Sequence, residues 1–96
     1  MPLYAMLSTL TDEGWKTIKN NPGRIQEVNQ EVEGMGVRLI SQYAALGAYD
    51  FISIVEAPDN LSAANMAVQL GSRGTVQIRT IPLLDVEAFI GKIKTE

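Results

Sequence analysis

The chain contains no cysteine and no histidine. Without thiols there are no disulfides, no thiolate metal sites and no cysteine nucleophile, and cysteine usage carries no information on redox compartment. Without imidazole the usual haem ligands, most transition-metal sites and the commonest general base near neutral pH drop out as well. Positive charge is scarce too: 8 Lys and Arg stand against 11 Asp and Glu, for a net charge of −3. A phosphate backbone is held by a clustered positive field, so no nucleic acid partner is expected. Long apolar runs are also missing. Residues 1–10 are apolar but lack a basic leader and are far too short to span a bilayer, so they read as a strand, with no membrane partner and a cytoplasmic location expected.

What is there fits one folded unit. Apolar residues make up 46% and charged residues 20% of the 96 positions, an ordinary globular balance without a biased or like-charged tail. A chain of this length has room for a single core, so one domain over residues 1–96 is expected, and its small size favours burial through self-association.

The apolar pattern resolves into an α+β order. A first strand ends at Thr11-Asp12-Glu13-Gly14, where Thr11 reads as a helix N-cap followed by acidic residues at the positive end of the dipole. Trp15 and Ile18 start an apolar stripe. Asn20-Asn21-Pro22-Gly23 interrupts it, and Ile25, Val28, Val32 and Met35 resume it from a helix restarting at Pro22. Residues 37–44 alternate with period two, 46–50 turn the chain, and 49–57 form a third strand stopped by Pro58. A further helix carries Ala63, Met66, Ala67 and Leu70, with Gly71 expected at its left-handed end. Residues 74–81 give a fourth strand, and after Pro82 a short helix capped by Asp85 presents Val86, Phe89, Ile90 and Ile93. The predicted fold is ferredoxin-like βαββαβ with a short C-terminal helix. Strands one and three are central, and both are apolar on two faces. The face without helices needs a cover; a second copy of the chain is the preferred one, with Phe51 and Val55 assigned to that interface, and the C-terminal helix, through Val86, Phe89 and Ile93, is the alternative.

At Leu46-Gly47-Ala48-Tyr49-Asp50-Phe51, followed by Ile54-Val55-Glu56-Ala57-Pro58-Asp59, the sequence resembles the GYD domain family, with Ala48 between the motif's glycine and tyrosine. Leu70-Gly71-Ser72-Arg73-Gly74-Thr75-Val76 with Arg79-Thr80, and Asn21-Pro22 with Arg24, resemble further stretches of that family. The likeness covers nearly the whole chain. It implies a dimeric α+β barrel fold and a biochemical role that is largely uncharacterised.

Arg38, Tyr43, Gln77 and Arg79 are the candidate polar rim of a cavity on the open sheet, where guanidinium forks and a phenol would hold a small anionic or organic ligand. Tyr49 and Asp50 join them as a phenol and a carboxylate at the sheet end. For Asp50 a turn role, bonding local amides, stands beside the ligand role. Asp59 suits a helix cap better than a carboxylate pair with Glu56. Trp15 and Met66 read as packing residues. No metal and no cofactor are expected, since neither converging oxygen ligands nor a dinucleotide fingerprint is present. The composition and the unpaired sheet point to a homo-oligomeric, non-catalytic binding or assembly module. The alternative, resting on fold analogy, is a cofactor-free isomerase or oxygenase acting on a small organic acid.

Overall fold

The computed structural model describes residues 1–95. Its elements run β1 (Leu3–Leu10), α1 (Asp12–Asn20), α2 (Arg24–Gly34), β2 (Arg38–Ala44), β3 (Phe51–Glu56), α3 (Asn60–Gly71), β4 (Val76–Leu83) and α4 (Val86–Lys94). The four strands form one sheet in the order β2-β3-β1-β4, and every neighbouring pair is antiparallel. The fold is therefore mixed α+β, a four-stranded antiparallel sheet with four helices.

Local chemistry sets the boundaries. Thr11 accepts the Gly14 amide at 3.2 Å and donates to the Gly74 carbonyl at 2.7 Å, so one side chain both caps α1 and ties it to the turn before β4. Pro22 ends the first helix as expected, but the restart falls two residues later: the carbonyls of Asn21, Pro22 and Gly23 accept the first amides of α2, those of Arg24, Ile25 and Gln26. Asp59 caps α3 through Ser62, and Asp85 caps α4 through Ala88, at 2.8 and 2.9 Å.

Two element ends differ from expectation. Gly71 remains helical, and the positive φ that leads into β4 belongs to Gly74, at 78°. The strand β4 also runs through Pro82 to Leu83. Pro82 is tolerated because β4 is an edge strand, where one side of the backbone has no ladder to supply.

The core lies between the sheet and one helix layer. Tyr4 and Met6 from β1, and Val55 with Ala57 from the third-strand region, meet Val32 of α2 and Ala63, Met66 and Leu70 of α3. The Tyr4 hydroxyl donates to Asn60 at 2.6 Å, which satisfies the one polar atom this ring brings into the interior. Trp15 stays outside that core, half-exposed on α1, whereas Met66 is fully buried.

The opposite sheet face carries no helix from this chain. Strand pairing places Leu3, Ala5 and Leu7 of β1, Ile52 and Ile54 of β3, and Ile81 and Leu83 of β4 on it. This corrects the sequence assignment of the interface pair: Val55 is 0% exposed and faces the helices, and Phe51, two residues before Ser53, shares that inner side. Both faces of β3 are apolar, so periodicity alone could not choose between them.

Nor does α4 fold back onto the open face. Every residue from Ile81 to Thr95 is exposed, including Leu84, Val86, Phe89 (53%) and Ile93. The molecule is correspondingly elongated, 53 × 29 × 19 Å with a radius of gyration of 14.9 Å. A compact chain of this length would have a radius of roughly 12–13 Å.

Candidate functional site

The hairpin between β2 and β3 is built around Asp50. Gly47, with φ of 120°, supplies the turn conformation that a side-chain-bearing residue rarely adopts. The Asp50 amide then donates to the Ser8 carbonyl and its own carbonyl accepts from Ala45, both at 2.8 Å. Its carboxylate accepts the Leu10 amide at 2.8 Å, at the end of β1. The carboxylate thus binds backbone, though that of β1, forty residues away in the chain, and not that of its own turn. Leu46 at the loop tip is fully exposed.

The remaining candidates on the open face separate into two groups. Arg38 pairs with Glu56 at 3.8 Å on the β2 side, and Tyr43 lies on the same strand, 63% exposed. On the β4 side, Gln77 and Arg79 line a shallow depression with Tyr49, Leu7 and Thr9. The two edges are three strand spacings apart, about 14 Å, too far for Arg38 and Arg79 to grip one small anion. The structure thus brings together Tyr49, Gln77 and Arg79, and leaves Arg38, Tyr43 and Asp50 outside that group.

Gln42 shows why alternation misleads here. The register shifts between Leu39 and Ser41, leaving Ile40 as the extra residue of a β-bulge. Before the bulge Arg38 lies on the open side. After it Gln42 turns inward, where it exchanges hydrogen bonds with Asn29 of α2 at 2.8 and 3.2 Å and donates to Ser53 at 3.1 Å.

That inward network borders a half-open cavity of about 280 Å³ between the sheet and the α1–α2 layer. Its walls are mostly apolar, with Ile18, Ile25, Val28, Phe51 and Ile78 among them. Ser8 of β1 and Ser53 of β3 form part of the sheet side and are 7% and 4% exposed. Arg24 and Arg73 contribute the charged part of the lining. Both pair with Glu31, Arg73 at 2.5 Å and Arg24 at 3.1 Å, so one carboxylate joins α2 to the turn before β4. The Arg73 guanidinium beside Glu31 holds its carboxyl below the ordinary value, outweighing the opposite effect of partial burial. At the cap of α3 the Ser62 amide likewise holds the Asp59 carboxyl low.

Sequence reasoning does not assign Ser8, Ser53 or Arg24 to a site. A signal for the serines exists: each interrupts an apolar central strand at a position two residues from a core side chain, Met6 and Val55. Arg73 reads from the sequence in two ways, as part of a helix-ending turn, which is the preferred reading, and as the guanidinium of an anion cradle over residues 71–74; the structure places it in the cavity lining.

The family profile described as GYD domain matches residues 4–93. The chain belongs to the GYD domain family. A relative from Thermus thermophilus, 47% identical over 95 residues, is named glutamine synthetase and cystathionine beta-lyase binding protein; the match covers 98% of this chain and all of the relative. In three dimensions this GYD domain is similar to the crystal structure of TTHA0845, also from Thermus thermophilus, with a TM-score of 0.56 at 16% identity, over 88% of this chain and 95% of that one. The structural likeness concerns the fold. Among the described residues of this GYD domain, no helix is long and apolar enough to cross a membrane.

Proposed function

We propose that this GYD domain is a non-catalytic, homo-oligomeric binding module of the ferredoxin-like, dimeric α+β barrel type, and that its clients are other proteins, enzymes of nitrogen and sulfur amino-acid metabolism foremost among them. The observation that carries the reading is the unpartnered apolar surface: the open sheet face, with Ile81 and Leu83 exposed, and the projecting α4 with Leu84, Val86, Phe89 and Ile93. Monomers seldom leave apolar area of this extent in water, whereas protein interfaces bury it. A second copy is the economical cover, because the same chain supplies both a bare sheet and a bare amphipathic helix. The family relative's name, which specifies two enzymes as what that protein binds, supports clients beyond the self-contact.

The test uses the full chain with purified glutamine synthetase and, separately, cystathionine beta-lyase from the same organism, run on a sizing column with light scattering. Expected are a dimer or larger assembly of the domain alone and co-elution with at least one enzyme. A monomer at micromolar concentration that co-elutes with neither enzyme overturns the reading.

A further inference from the structure

We infer that the cavity between the sheet and the α1–α2 layer is a binding site for a small monocarboxylic acid with an apolar, ring-sized body. The volume is the first reason. A half-open space of about 280 Å³ lies near the lower end of known ligand pockets.

The polar groups give the ligand its chemistry. Ser8 and Ser53 are more than nine-tenths buried and sit on the cavity's sheet side. Ser53 accepts from Gln42, which leaves the serine's own proton to donate, and Ser8 lies outside the Gln42–Asn29–Ser53 network. Both hydroxyls keep a proton to donate at that end of the cavity, so a ligand with a second polar group is matched there. Arg24 and Arg73, each about one-third exposed, are the charged side chains lining the space. Glu31 pairs with both and Glu27 also accepts from Arg24 at 3.4 Å, and each guanidinium retains donors beyond those directed at these carboxylates, a geometry suited to a ligand carboxylate. The apolar walls between these two ends take the body of the ligand. Neither Glu31 nor Asn29 is needed as a direct contact; they hold Arg24, Arg73 and Gln42 in place.

The site is on the opposite side of the sheet from the surface assigned to protein partners, so its occupancy and client binding can be measured independently. The probe is para-hydroxyphenylacetate, titrated into the full chain by calorimetry beside its uncharged amide and beside phenylacetate, which lacks the ring hydroxyl. Saturable binding of para-hydroxyphenylacetate is expected, with both analogues weaker by about tenfold, as loss of a charge-assisted or buried hydrogen bond predicts. Arg73→Met should bring the acid down to the level of its amide and leave the amide unchanged. Ser8→Val should do the same for the ring hydroxyl, erasing the advantage over phenylacetate. Ser53→Leu fills the space and should abolish binding of all three, with folding checked by thermal unfolding. Absence of saturable binding at about 10 mM overturns the inference, as does binding undiminished in both Arg73→Met and Ser8→Val.

Discussion

Asp50 holds the sheet end by three backbone-directed contacts, and its carboxylate is committed to the Leu10 amide. Replacing it with alanine strands that amide and is expected to cost about 1.5–3 kcal/mol, the range for hydrogen bonds to charged groups. Asn keeps an acceptor in the same place, so Asp50→Asn should lose clearly less in urea denaturation. Equal losses for the two variants would mean that charge and not the local bond is what matters. Single residues were unevenly legible. The caps at Thr11, Asp59 and Asp85 could be read from the chain because each needs only its own next three residues. The facing of Phe51 and Val55 could not, because Ile52 and Ile54 beside them are just as apolar, and only pairing with Ser8 and Tyr4 decides which set goes under the helices.

At the level of elements, α1 is positioned by a close approach rather than by a large apolar contact. Gly14 is buried against the turn before β4, and a Cβ there would overlap the Thr75 carbonyl oxygen, a backbone atom that cannot swing aside. The same turn takes the Thr11 amide at 3.1 Å and the Thr11 hydroxyl. Gly14→Ala is therefore expected to destabilise the fold by about 1–3 kcal/mol despite alanine's better helix propensity, since overpacking outweighs that gain. A thermal midpoint equal to or above that of the parent would show that α1 can move off the turn freely. Element order and most boundaries were readable from period and punctuation, including the break at Pro22. The β2 register was not, because a bulge is a property of two strands together and Ile40 carries no mark of being the extra residue. The inner cavity was hidden for a related reason: its polar members come from β1, α1, α2, β2, β3 and the turn before β4, and no window of sequence contains them.

The whole molecule is longer than its residue count requires, because α4 stands away from the body with its apolar residues in solvent. If a second copy covers that surface, stability is linked to protein concentration by mass action. The thermal midpoint should then rise with concentration across the micromolar range, and Phe89→Asp, at a position 53% exposed in the single chain, should flatten that rise without damaging the monomer's own core. A midpoint independent of concentration in the parent protein would contradict the linkage. The two outer strands give such association a definite end. On one side β2 is kinked by its bulge at Ile40, and on the other β4 contains Pro82, which offers no amide to a further strand. With both lateral margins poor templates, growth by adding strand to strand is disfavoured. The association proposed above would then be confined to the flat of the sheet, and with a two-fold partner there the particle should be countable rather than fibrous.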